Sequence, residues 1–216
     1  MAPRPALGPI LIRRQARQIE WEERRTMPRR LTPSSLAGGR PEAILPRTAT
    51  GRGADLARLL GVCAHAVLEQ WDFTRPRSEI CTVIAQVCQR YVAQDHPQLM
   101  GEVTDDLNEL FENFLSSKPY KRLQRATVLG REVPFVMPLG EGQIMEGVID
   151  LIYRLDDRIW IADYKTDNVA AEDLQAIVDR YRSQAESYSR AGASALGLPS
   201  LSFQFIFLRP GVAVDV

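Results

Sequence analysis

Two segments rich in β-branched and aromatic residues constrain the fold most, because together they predict the two strands of one hairpin. Residues 147–150 (Gly-Val-Ile-Asp) and residues 159–166 (Ile-Trp-Ile-Ala-Asp-Tyr-Lys-Thr) both show the period-two pattern of a β-strand. The polar residues between them are few, and Asp156-Asp157 can form a two-residue turn. The sequence therefore predicts an antiparallel pair centred on this turn.

The assumed turn fixes which residues lie opposite each other. Leu155 then pairs with Arg158, and the same register, continued along both strands, places Asp150 opposite Asp163. Lys165 lies two residues beyond Asp163 and therefore shares its face of the sheet. A turn of another length would break this register.

The opposed aspartates indicate a bound cation or a shared proton. Opposed positions have Cβ atoms about 4.5–5.5 Å apart, and like charges there destabilise a sheet. Mg²⁺ is commonly held by one or two carboxylates, with waters and substrate phosphates completing its shell. Lys165 could orient or deprotonate an attacking water, or neutralise charge on a phosphate. The alternative is an ordinary hairpin whose Asp and Lys side chains are solvated.

These residues resemble a known signature. Asp150 followed by Asp163-Tyr164-Lys165 is similar to the signature of PD-(D/E)xK nucleases, and Gly147-x-x-Asp150 with Asp163-Tyr164-Lys165-Thr166 resembles their RecB/AddA branch. Two further elements of that branch are present: an upstream helix with His65, and Tyr181-x-x-Gln184-x-x-x-Tyr188 downstream. The four elements occur in the family's order over roughly residues 51–216.

The resemblance implies an α/β fold with a restriction-endonuclease-like core. A central mixed sheet containing an antiparallel meander is flanked by helices, and the N-terminal part is helical. It also implies a nuclease domain over residues 51–216, preceded by residues 1–50 as a basic, Pro- and Arg-rich extension or linker that is partly disordered. Residues 31–36 resemble the segment that leads into such a domain.

The resemblance also implies the site. His65, Asp150, Asp163 and the backbone carbonyl of Tyr164 would hold Mg²⁺, with Mn²⁺ as an alternative. Asp150, Asp163 and Lys165 would carry the catalysis together with Gln184 and Tyr188, which would touch DNA or orient Lys165. The implied reaction is hydrolysis of DNA phosphodiesters to 5′-phosphate and 3′-hydroxyl ends, by an exonuclease more than an endonuclease. It belongs to double-strand-break end processing and recombinational repair.

Apolar periodicity predicts the remaining elements. Helices are expected over residues 53–72, 77–93, 102–116 and 171–192, and further strands over 127–136, 201–208 and 212–216. On the first helix His65 lies off the apolar stripe, so pattern alone makes it a surface histidine. Glu132, in the strand before the hairpin, is interpreted as a group that supports the site and not as a metal ligand. His96 lies in a helix-ending turn and receives no role.

Charge is distributed unevenly along the 216 residues, although the chain has no net charge. Residues 1–52 hold eleven Arg and four Glu, so the remainder carries 16 basic and 23 acidic residues. Within that acidic remainder, Lys118, Lys121, Arg122 and Arg125 cluster after the third predicted helix. Such a cluster is usually a solvated face, but it is the best candidate for contact with phosphates.

Three cysteines and a lack of long apolar runs limit cofactors and location. Cys63, Cys81 and Cys88 do not have the spacing of a zinc or iron–sulfur site, so we expect buried thiols and no iron–sulfur cluster. No apolar run approaches 18–20 residues and no secretory signal is visible, so the expected location is the cytoplasm, with no membrane contact.

The sequence leaves the identity of the motor and of the nucleic acid open. It has no GxxxxGK[ST] phosphate loop, so we expect no helicase motor within it. The resemblance implies DNA as the ligand and a helicase motor or an AddB-like subunit supplied by another chain. One alternative is a catalytically silent or partner-dependent DNA-binding module of a helicase–nuclease complex. Another is a metal-dependent hydrolase that acts on something other than DNA; RNA stays open as a substrate, because such a site contacts phosphate and not sugar.

Overall fold

Helices dominate the described residues before Thr127, and strands dominate those after it. A computed structural model describes residues 29–32, 52–140, 143–170, 173–198 and 200–216. Its helices are α1 (Arg52–Gln70), α2 (Ile80–Tyr91), α3 (Met100–Ser116), α4 (Lys118–Leu123) and α5 (Leu174–Leu196). Its strands are β1 (Arg29–Leu31), β2 (Thr127–Gly140), β3 (Gln143–Leu155), β4 (Arg158–Lys165), β5 (Ser202–Phe207) and β6 (Val212–Asp215). Short 3₁₀ turns at Arg77–Glu79 and Pro97–Leu99 lead into α2 and α3.

The six strands form one mixed sheet around β3. Strand β2 pairs antiparallel along the length of β3, so β1 and β4 must share the opposite edge of β3, at its two ends. Strand β5 then pairs parallel to β4, and β6 pairs antiparallel to β5. The prediction of a mixed sheet with an antiparallel meander flanked by helices is confirmed.

Apolar residues cover both faces of this sheet. On one face, Leu151, Tyr153, Ala162 and Tyr164 pack into a core with helices α1 to α4. On the other face, Ile152, Ile161 and the aromatic side chains of β5 pack against α5. Successive residues of a strand point to opposite faces, so β4 places Trp160, Ala162 and Tyr164 toward the four helices and Asp163 and Lys165 toward α5.

The β3–β4 hairpin has the predicted turn and register. Asp156 and Asp157 have φ angles of 48° and 61°, and two positive φ angles are what a type I′ turn requires. The pairs run from Leu155 with Arg158 to Leu151 with Ala162. The next step of the register is Asp150 and Asp163, where the ladder ends. The last pair of the ladder therefore lies one step before the two aspartates.

Three features differ from the sequence expectations. Helix α4 forms where the sequence indicated only a basic cluster; Ser117 caps it by accepting a hydrogen bond from the Tyr120 N–H at 3.3 Å. Three residues of the stretch 1–50 form β1, parallel to Gln143–Met145. Apart from Arg29–Leu31 and Thr32, that stretch lies outside the described residues. Cys63 and Cys88 are buried as expected, but Cys81 is exposed, so the expectation of a buried thiol is wrong there.

No helix among the described residues is long and apolar enough to cross a membrane.

The turn requires a residue at position 157 that tolerates a positive φ angle. Replacing Asp157 by Val is expected to lower the free energy of unfolding by about 1–2 kcal/mol, because a β-branched residue is disfavoured at positive φ. Asn and Gly tolerate this conformation, so Asp157→Asn and Asp157→Gly should lose less than about 0.5 kcal/mol. Urea denaturation measures all three. A Val variant as stable as the wild type would contradict this assignment of the turn.

Candidate active site

Three carboxylates lie in one row across neighbouring strands. The β2–β3 register pairs Arg131 with Leu151 and Val133 with Ile149, so Glu132 falls opposite Asp150. The β3–β4 register continues the row to Asp163. Because like charges on adjacent strands repel, this row is a place where the sheet needs compensating positive charge.

Asp150 is the centre of the row and is 9% exposed. Its Oδ2 accepts a hydrogen bond of 2.7 Å from the backbone N–H of Tyr164, and its Oδ1 lies 3.5 Å from His65 Nδ1. The carboxylate therefore takes the place of a backbone carbonyl in the gap between β3 and β4. The N–H and C=O of a strand residue point to the same side, so the Tyr164 carbonyl also faces this gap.

Glu132 is held at the site in an unusual backbone conformation. Its φ is 46°, and its Oε1 lies 3.5 Å from His65 Nδ1. A residue other than glycine in this region costs about 1–3 kcal/mol, and such residues are concentrated at functional sites. The conformation turns a strand residue toward His65.

His65 extends from α1 toward two of the three carboxylates. Its side chain is 33% exposed, and its ring meets the edge of the Tyr164 ring at a centroid distance of 6.1 Å. Burial alone would lower the pKa of His65, but the charge of Asp150, hydrogen bonds to Asp150 and Glu132, and the charge of Asp163 raise it well above the usual range. An imidazolium therefore lies between the carboxylates of Asp150 and Glu132.

Asp163 and Lys165 form a buried ion pair beside this cluster. Lys165 Nζ lies 2.7 Å from Asp163 Oδ2. Burial raises the pKa of Asp163 to about 6, against the lowering effect of Lys165. Burial lowers the pKa of Lys165, but Asp163 more than offsets it, so the net shift is upward and Lys165 is an ammonium.

Helix α5 supplies the groups that hold this ion pair. The Gln184 amide donates to Asp163 Oδ1 at 3.3 Å and to the Tyr188 hydroxyl at 3.4 Å, and its oxygen accepts from Lys165 Nζ at 3.3 Å. The Tyr181 ring lies under the same ammonium, 4.1 Å from Nζ. An interaction of this kind contributes about 0.5–2 kcal/mol. Gln184 and Tyr181 thus fix where the Lys165 charge sits.

The donor chemistry of the cluster fits a divalent cation. His65, Glu132 and Asp150 each offer a ligand atom, and these atoms lie within 4.8 Å of one another. Carboxylate oxygens with one imidazole suit Mg²⁺ or Mn²⁺, although imidazole is the less common partner for Mg²⁺. Asp163 adjoins this group but directs Oδ2 to Lys165.

The structure brings the sequence-predicted site residues into one neighbourhood. His65, Asp150, Tyr164, Asp163, Lys165, Gln184 and Tyr188 are linked by the contacts above. Sequence reasoning underestimated Glu132, which lies as close to His65 as Asp150 does. The signal that finds it is the β2–β3 register, and that register contains a one-residue shift between Val128 and Gly130.

Comparisons with known proteins identify the family of the chain. The family model of the PD-(D/E)XK nuclease superfamily matches residues 39–202. The chain belongs to this superfamily. It is 31% identical over 148 residues to an ATP-dependent helicase/nuclease subunit of Acetivibrio thermocellus, in a match that covers 61% of this chain and 11% of that protein.

Two other relatives share that name. The one from Bacillus mycoides is 27% identical over 182 residues, 74% of this chain and 14% of the relative. The one from Staphylococcus carnosus is 27% identical over 198 residues, 81% of this chain and 15% of the relative. The chain thus spans only 11% to 15% of the length of these relatives.

The side chain of Gln184 hydrogen-bonds to both Lys165 and Asp163, so its removal should lower the free energy of unfolding. Gln184→Leu keeps a similar volume but leaves Lys165 and Asp163 short of one buried hydrogen bond each, so we expect a loss of about 1–3 kcal/mol in unfolding free energy. Gln175→Leu is the matched control, because Gln175 is exposed on the same helix; it should change stability by less than about 0.5 kcal/mol. Urea denaturation in EDTA measures both. Equal losses of unfolding free energy in the two variants would refute this role of Gln184.

Proposed function

We propose that this chain is a divalent-metal-dependent deoxyribonuclease. The observation that carries the proposal is the meeting of His65, Glu132 and Asp150 with the buried Asp163–Lys165 pair. A cluster of oxygen and imidazole donors beside a fixed ammonium is suited to phosphodiester hydrolysis. The substrate class, DNA, is supported by the superfamily and by relatives named as helicase/nuclease subunits.

The metal would be held by groups from four elements. His65 comes from α1, Glu132 from β2 and Asp150 from β3, and Asp163 and the Tyr164 carbonyl on β4 complete the proposed set. Mg²⁺ is the proposed ion and Mn²⁺ the alternative, because both accept carboxylate oxygens. When bound, the ion would supply a Lewis acid for a phosphate oxygen and for water.

The residues of the chain would supply orientation and positive charge. Lys165 remains an ammonium, so its role is to donate hydrogen bonds and to stabilise the negative charge that develops on the phosphate. Gln184 and Tyr181 hold that ammonium in place, and Tyr188 holds Gln184. Asp163 would contribute both to metal binding and to the positioning of Lys165, because one carboxylate can contact both the ion and the ammonium.

Exonuclease activity, which acts on DNA ends, would suit a nuclease that works together with a helicase. We propose exonuclease activity, with helicase function supplied by another chain or by a longer polypeptide, because the relatives are helicase/nuclease subunits many times longer than this chain. Repair of DNA breaks is the corresponding role.

Cleavage assays test the reaction. Linear single- and double-stranded DNA should be degraded in Mg²⁺ or Mn²⁺ and remain intact in EDTA. Lys165→Ala and Asp163→Ala should each lower the rate by at least about 10²-fold, the usual cost of losing a charge-stabilising group. Asp105→Ala, on the exposed side of α3, is the control and should cleave normally. Full cleavage by a folded Lys165→Ala protein would refute the assignment.

Melting measurements test the ligand set separately from catalysis. Saturating Mn²⁺ should raise the melting temperature, because a ligand that binds only the folded state stabilises it. Glu132→Gln should weaken Mn²⁺ binding at least about tenfold, while Glu109→Gln, an exposed control on α3, should not. A wild-type protein with neither a Mn²⁺ shift nor cleavage would instead be a silent DNA-binding module.

A further inference from the structure

A basic cleft lies away from the candidate active site. Its volume is about 660 Å³, and it is lined by Lys118, Lys121, Arg122, Arg125, Leu155, Asp156, Arg158 and Trp160. The first four residues belong to α4 and the residues just after it. The others come from the β3–β4 hairpin. The cleft is therefore formed where the end of the hairpin meets α4.

The cleft concentrates positive charge on an acidic body. It holds five of the 16 basic residues that follow residue 52, a part of the chain with 23 acidic residues. Lys118, Lys121, Arg125 and Arg158 are exposed. Within the described residues the acidic partners of the five are Asp156, 3.9 Å from Arg125, and Asp215, 3.6 Å from Arg122. Most of the charge is thus available to an anionic ligand.

One of these cations is held in a fixed position. The Arg122 guanidinium lies over the Trp160 ring, 4.0 Å from its centroid. That indole also stacks on Tyr153, with a centroid distance of 6.3 Å and an interplanar angle of 12°, and the Tyr153 hydroxyl accepts a hydrogen bond from the Gln204 amide at 2.7 Å. A guanidinium supported in this way loses little freedom when it binds a phosphate. Trp160 acts as a platform for Arg122 and is covered by it.

The cleft and the candidate active site are separated along β3. Leu155 and Trp160 pack toward helices α1 to α4, whereas Asp163 and Lys165 point toward α5, and His65 reaches Asp150 from α1. Along β3, the turn lies five residues from Asp150, which is about 17 Å at ~3.3 Å per residue. A small anion bound in the cleft could not reach Asp150, but a polymer could contact both.

We propose that this cleft binds the phosphodiester backbone of DNA outside the active site. The inference deepens the proposed function, because it adds a second contact for the same substrate. Protein–DNA interfaces are much more positively charged than protein–protein interfaces. The cores of protein–protein interfaces are depleted in charge, whereas five of the eight residues that line this cleft are Lys or Arg. An acidic protein is therefore the less suitable ligand.

The test is the salt dependence of DNA binding in EDTA, with labelled single- and double-stranded oligonucleotides whose integrity is checked on gels. The cleft variant carries Lys118→Gln, Lys121→Gln and Arg125→Gln. The control carries Arg90→Gln, Arg154→Gln and Arg190→Gln, which remove the same charge from exposed positions outside the cleft lining. Melting temperatures confirm that both variants are folded. Polyglutamate, as a second labelled probe, represents an acidic protein.

The expected result is a smaller slope of log K against log salt concentration in the cleft variant alone. Each lost phosphate contact lowers the slope of log K against log salt by about 0.9 for duplex and 0.7 for single strands, so three lost contacts should lower it by about 2–3. The control should keep the wild-type slope. Equal slopes for the cleft variant and the wild type, or equal losses in both variants, would overturn the proposal. So would loss of polyglutamate binding with unchanged DNA binding.

The two proposals fail independently in these experiments. A protein that cleaves DNA but shows no slope change in the cleft variant refutes only the second contact. A protein that shows the slope change but never cleaves in Mg²⁺ or Mn²⁺ refutes only the nuclease.

Discussion

Repulsion between carboxylates in one row is the constraint on which the site depends. Glu132, Asp150 and Asp163 occupy successive positions across β2, β3 and β4, and the ladder between β3 and β4 ends there. The side chains of His65 and Lys165 supply compensating positive charge, and the neighbouring carboxylates shift the pKa of both bases upward. A divalent ion would also supply positive charge next to these carboxylates. The row of carboxylates in the sheet is therefore what makes the proposed metal site possible.

The hairpin is the part that sequence predicted best. A two-residue turn at Asp156-Asp157 leaves one register, which places Asp150 opposite Asp163, and the two-residue period of a strand puts Lys165 on the face of Asp163. The periodicity of α5 likewise placed Gln184 and Tyr188 on one side of a helix. In both cases local turn chemistry and a regular repeat determine the geometry, so neither depends on contacts distant in sequence. The role of His65 came from family resemblance, because its helix pattern indicated a surface residue.

Features that depend on distant pairing were not predicted. Glu132 reaches His65 because of a register shift in β2 and a positive φ, and neither leaves a distinct pattern in the sequence. Strand β1 is three residues long and exists through its pairing with β3. The cleft likewise requires α4 and the hairpin to meet, so the sequence showed its Lys and Arg residues as a cluster but not Arg158 or the Trp160 platform.

Anomalous scattering from a crystal soaked with Mn²⁺ would locate the metal site. We predict an ion bound by Asp150 and His65, with ligand distances of roughly 2 Å, and with Glu132 or Asp163 completing the carboxylate set. Lys165 should remain next to the ion without coordinating it. An ion bound without Asp150, or no Mn²⁺ at this site at saturating concentration, would refute the proposed metal site.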